Sequence, residues 1–198
     1  ISVVGGHAPS LPVTMNHMAH DLSAIDKRTF MDKLYREVDA SIVKSIKDKL
    51  IENGKSLAVA ESVTGGVLQV CFTLADNASL FFQGGITAYN IGQKARHLHI
   101  DAVHGMKINC VSEKIAAEMA VHTNRMFSSD WALAITGYDT PMPEKNITDI
   151  HACIAIANGA DVLLKRTIGA NAENALNVRY YYANTLLRDF ADILHIRD

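Results

Sequence analysis

The chain has 198 residues, 48% hydrophobic and 20% charged, which is enough to bury a full core in one compact domain plus an extension. A net charge of -2, without any Lys/Arg cluster, argues against nucleic acid as a partner. No apolar run reaches membrane-spanning length, and Cys71, Cys110 and Cys153 sit in apolar contexts as expected free thiols, so the expected compartment is the reducing cytoplasm.

From Ile1 to Ala24 the sequence carries Gly5-Gly6, Pro9 and Pro12 without sustained periodicity. Residues 1–24 are therefore read as an arm or linker remnant, and 25–198 as the domain. Behind a possible cap at Thr29, Phe30, Leu34, Val38, Ile42, Ile46 and Leu50 recur every fourth residue until Asn53-Gly54, which predicts an amphipathic helix. Small apolar residues from Ser56 to Ala60 predict a strand covered on both faces. Helices are expected near 67–74, 93–98 and 113–127, the last behind Ser112, and strands near 81–88, 131–136, 151–157 and 162–168. A final helix is expected near 172–194. Alternation in the first half favours parallel crossovers, whereas Asn158-Gly159 reads as a hairpin turn. The predicted fold is a three-layer α/β/α sandwich on a mixed, largely parallel sheet, with the site at the C-terminal ends of the parallel strands.

The chemistry concentrates in Ala58-Val59-Ala60-Glu61-Ser62-Val63-Thr64-Gly65-Gly66, a buried strand running into a glycine-containing turn that opens a helix. Ser62 stands where a hydroxyl can serve as nucleophile if a neighbour takes its proton. No Gly-x-Ser-x-Gly elbow is present, so a lysine held neutral by burial is the alternative base, with Lys94 as the candidate. The plain alternatives are a helix-capping serine and a solvated helix lysine. Thr64, Gly65 and Gly66 would cradle an anion or oxyanion, or simply make a tight turn. Glu61 is expected to bond the amides of that turn, and Tyr89 to stack on a ring or point its hydroxyl at Lys94. His97-Leu98-His99 lacks a completing ligand, so no metal is expected, and no cofactor is implied.

Together with Gly84-Gly85-Ile86-Thr87-Ala88-Tyr89 and Lys94, this stretch resembles the CinA C-terminal domain family, whose best-known activity is amide hydrolysis of nicotinamide mononucleotide. The resemblance implies a Ser62/Lys94 dyad, with Glu61, Thr64, Gly65, Gly66, Tyr89, Thr136 and Gly137 binding a small-molecule nucleotide. The second half departs from the family pattern. Tyr138-Asp139-Thr140-Pro141-Met142-Pro143 replaces a glycine-rich loop, Asp149-Ile150-His151 replaces Gly-Thr-Val, and Asn171 stands where the family has an arginine. Arg179 and Arg166 are the candidates to replace that guanidinium in space. Two functions follow: a Ser/Lys amidohydrolase of a pyridine nucleotide, or a diverged noncatalytic nucleotide-binding or assembly protein. A homo-oligomer is the expected assembly because symmetric dimers are the commonest.

Overall fold

Parallel pairing in the first half and antiparallel pairing in the second divide a five-stranded sheet, whose strands lie side by side in the order Phe82–Thr87, Leu57–Glu61, Trp131–Gly137, His151–Asn158, Asp161–Gly169. The computed structural model describes residues 38–170 and 174–195; the expected arm 1–24, Thr29, Phe30, Leu34 and Asn171 lie outside them. The strands are β1 (Leu57–Glu61), β2 (Phe82–Thr87), β3 (Trp131–Gly137), β4 (His151–Asn158) and β5 (Asp161–Gly169). The expected mixed α/β sheet is present, and the β4–β5 hairpin turns at Gly159, where φ is +59°.

The first described helix, α1 (Ala40–Glu52), is capped by Asp39, whose carboxylate accepts from the amides of Ser41 and Ile42. Its buried stripe runs Val43, Ile46, Leu50, so Ile42 of the predicted stripe falls to the flank. Helix α2 (Val67–Thr73) follows β1, α3 (Ile91–Leu98) follows β2, and α5 (Glu113–Phe127) starts at the predicted Ser112 cap. One helix was not expected from sequence: α4 (Ala102–Lys107), capped by Asp101. Its six residues bury only Gly105, so no apolar period marks it. The last helix, α6 (Ala175–Ile193), buries Val178, Tyr182, Leu186, Leu187 and Phe190.

Strand periodicity separates two core layers. Ala60, Ala132, Ala134, Ala155 and Ala157 form one cluster with Ile115, Ala116, Met119 and Ala120 of α5, and these small side chains let the helix approach the sheet closely. On the alternate face Trp131 meets Phe190 of α6, with ring centroids 5.3 Å apart. β1 is buried at all five positions because both neighbouring strands and both layers cover it. Loops leaving the C-terminal ends of β1, β2 and β3 meet beyond this strand, the usual ligand position in an open α/β sheet.

Candidate active site

The nucleophile turn is built by a buried carboxylate. Glu61, fully inaccessible at the end of β1, accepts from the amides of Gly66 (3.1 Å), Leu68 (3.1 Å) and Gln69 (3.0 Å), and from Gln69 Nε2 (3.3 Å). These are the amides at the start of α2, where a negative charge is favoured. Gly65 and Gly66 carry φ of +65° and +111°, so the reversal into α2 needs residues free of a Cβ. Glu61 thus holds the turn, and its hydrogen bonds go to that turn and not to Lys94.

Ser62 projects from this turn with 6% exposure, and Lys94, in the first turn of α3, has 2%. Lys94 Nζ donates to Ser62 Oγ at 2.8 Å and to the Ala88 carbonyl at 2.8 Å. Asn90 caps α3 by accepting from the Gln93 amide at 3.0 Å, fixing the backbone that carries the lysine. No carboxylate pairs with this ammonium among the described residues. Burial therefore pushes its pKa below the ordinary lysine value, with the neighbouring Cys110 opposing the shift.

Ser62 and Lys94 open into a cleft of about 490 Å³ that Tyr89, Asn109, Cys110, Thr136, Gly137 and the 138–145 loop also line. Tyr89 is 67% exposed at its mouth. Of its two expected roles, stacking on a ring or directing its hydroxyl at Lys94, the second is not made as a hydrogen bond, since Lys94 Nζ donates to Ser62 and Ala88. Thr136 donates to the Cys110 carbonyl at 2.9 Å and so serves the cleft wall. Gly137 is a close-packing position: a Cβ there would lie 2.5 Å from the Ala152 Cα.

Two of the three expected cradle amides are already used, because Gly66 N–H goes to Glu61 and Gly65 N–H to the Ser62 carbonyl at 3.2 Å. The Val63 and Thr64 amides have no acceptor among the described residues, which leaves them as donors beside Ser62. Thr64 Oγ1 is buried and also without a partner among these residues. An orphaned hydroxyl of this kind costs about 1–3 kcal/mol. Thr64→Val should accordingly raise the unfolding free energy by about 1 kcal/mol in chemical denaturation, while a large loss of activity would assign the hydroxyl to the substrate.

Sequence reasoning missed Asn109 and Cys110, consecutive residues with φ of +50° and +58°; asparagine tolerates this left-handed backbone, but nothing in the Cys110 type signals it. It also missed Asp139 as a partner of Arg179. Of the two arginines considered, Arg166 pairs with Asp189 at 2.8 Å away from the cleft lining, whereas Arg179 reaches the cleft residue Asp139. The histidine pair also disperses: His97 bonds Gln93 at 3.1 Å, and the His99 ring lies tilted against that of His122, centroids 5.3 Å apart. No group of metal-ligating side chains is present among the described residues.

A buried serine–lysine pair at the carboxyl edge of a mixed α/β sheet is the arrangement that the fold builds. The family model of the CinA C-terminal domain matches residues 39–189, and the chain belongs to that family. It is 29% identical over 171 residues to a CinA-like protein of Prochlorococcus marinus subsp. pastoris, covering 85% of this chain and 39% of the relative. It is 34% identical over 147 residues to a CinA-like protein of Picosynechococcus sp., covering 73% of this chain and 35% of the relative. The chain thus spans about two fifths of the length of these relatives. The crystal structure of a competence-damaged protein (CinA) superfamily protein from Enterobacter cloacae superposes with a TM-score of 0.74 at 25% identity, covering 79% of this chain and 92% of that one. A competence damage-inducible protein A from Klebsiella pneumoniae has the same fold, with a TM-score of 0.75 at 20% identity and coverage of 81% and 99%. Among the described residues no helix is long and apolar enough to cross a membrane.

Proposed function

We propose that the chain is an amidohydrolase that deamidates nicotinamide mononucleotide or a related pyridine nucleotide through Ser62 and Lys94. The observation that carries this reading is the 2.8 Å contact between a buried serine hydroxyl and a buried lysine that has no carboxylate partner among the described residues. In its neutral form the Lys94 amine takes the proton of Ser62 as Oγ adds to the carboxamide carbon. The Val63 and Thr64 amides, which have no acceptor among the described residues, are the donors available to the developing oxyanion. Lys94 returns the proton to the nitrogen, ammonia leaves, and an acyl group remains on Ser62. Water, deprotonated by Lys94, adds to that ester, and collapse releases the carboxylate and restores the serine.

The test is ammonia release from a panel of pyridine nucleotides by the purified chain, compared with Ser62→Ala. Ammonia from the parent and none from the variant supports the reading; none from either supports a noncatalytic nucleotide-binding protein. The replaced glycine loop at 138–143 favours that second reading, because its bulk removes close backbone approach to a ligand. A pH profile adds a separate check. Because the active form of Lys94 is neutral and its pKa lies below 10.5, kcat/KM should rise with pH and level off before that value. A rate that falls as the lysine deprotonates would assign it a cationic role instead.

A further inference from the structure

We propose that Asp139 determines specificity by occupying the anion position of the cleft, so that the site selects a ribosyl pyridine carboxamide without a phosphate over its phosphorylated counterpart. This narrows the substrate of the amidohydrolase reading and rests on it. Arg179 places two of its nitrogens on one oxygen of Asp139, Nε at 2.7 Å and a terminal nitrogen at 2.6 Å. Its other terminal nitrogen lies against the nucleophile turn, where a Cβ added to Gly65 would be 2.9 Å from it. The guanidinium that borders the serine turn is therefore already engaged by a carboxylate of the chain itself.

Asp139 is held there firmly. The preceding Tyr138 donates its amide to the His151 carbonyl at 2.9 Å, accepts at its own carbonyl from Tyr182 Oη at 3.1 Å, and accepts at its hydroxyl from Asn109 Nδ2 at 3.1 Å. Side-chain exposures of 31% for Arg179 and 16% for Asp139 shield the pair partly from solvent screening. Asp139 also lines the cleft that holds Ser62 and Lys94.

Charge arithmetic gives the direction. The charged residues on the lining are Lys94, held toward its neutral form, Lys145, and Asp139, whose charge is paired with Arg179 outside the lining. A phosphate dianion reaching Arg179 must displace a charge-assisted contact and approach a second negative group. A riboside needs neither. The carboxylate is particular to this loop, since the family pattern Thr-Gly-Ile-Ala-Gly-Pro-Gly-Gly has an uncharged alanine where this chain has Asp139.

Calorimetric binding of nicotinamide mononucleotide and nicotinamide riboside to the Ser62→Ala chain tests the proposal without turnover. The riboside should bind at least as tightly as the mononucleotide. Asp139→Asn should then tighten the mononucleotide about tenfold and leave the riboside within about twofold, because a freed guanidinium rewards only the anion. A mononucleotide that binds tenfold tighter to the Asp139 form, with the preference lost in Lys145→Ala, overturns the proposal and moves the anion site to Lys145. A second readout needs no pyridine ligand. Inorganic phosphate should shift the Arg179 Nε resonance in Asp139→Asn and not in the Asp139 form, and equal shifts in both refute the inference. If the asparagine variant fails to fold, the comparison of the two ligands on the Asp139 form still decides. Absence of ammonia release from either ligand by the parent chain marks failure of the amidohydrolase reading alone, since the phosphate titration stands apart from it.

Discussion

Ammonia release is expected to fall by about 10³-fold or more in Ser62→Ala and in Lys94→Met, with no further loss in the double variant. Groups that act as one unit are lost together, so each substitution should remove the same proton-coupled attack. The 2.8 Å contact between them is the structural basis of that non-additivity. Additive losses would show that the serine and lysine act in separate steps. Lys94→Met also isolates the cost of burying the amine. The folded pKa of Lys94 lies below its unfolded value of about 10.5, so between the two the unfolded chain binds more protons. Lysine burial therefore costs most below the folded pKa, and the parent's stability should rise with pH through that window. Denaturant unfolding of the two proteins should show the stability of Lys94→Met relative to the parent declining from neutral pH toward 10.5. A pH-independent difference would mean that the lysine reaches solvent.

What was legible in the sequence followed from short-range rules. The run of small apolar residues before Ser62 gave a strand buried on both faces, Ser112 marked the start of a helix, and Asn158-Gly159 marked a hairpin. The Ser62 and Lys94 pair needed more than those rules, because 32 residues separate partners that meet only after β1 and β2 align in parallel. Family resemblance supplied that pairing. Contacts with no local pattern stayed hidden: Arg179 and Asp139 are 40 residues apart, and nothing in either neighbourhood encodes their approach. The left-handed backbone of Asn109 and Cys110 was hidden for a different reason, since neither residue type demands it and the surrounding fold imposes it. At Gly65 and Gly66 the spacing shows where amides collect but not that the Ser62 carbonyl and Glu61 accept from them.

Glu61→Ala is expected to lower stability by roughly 3–5 kcal/mol, because it leaves buried amides at the start of α2 without their acceptor. For a chain of this size that corresponds to a fall in Tm of about 10 °C or more. The carboxylate serves Gly66, Leu68 and Gln69 at once, and Gln69 passes the link to β2 through a 3.0 Å bond from Nε2 to Thr87 Oγ1. Loss of the carboxylate should therefore loosen the turn that aims Ser62, even though Ser62 and Lys94 remain. Glu61→Gln separates charge from shape. Its amide keeps one acceptor oxygen but turns an N–H group toward amide donors, so its cost should fall between those of the parent and the alanine variant. Thermal unfolding, followed by kinetics well below each Tm, checks both effects. Activity should decline in the order of stability, parent, glutamine, alanine, if the carboxylate acts by holding the turn. A glutamine variant with the parent's Tm and a thousandfold slower rate would instead place the Glu61 charge in the reaction itself.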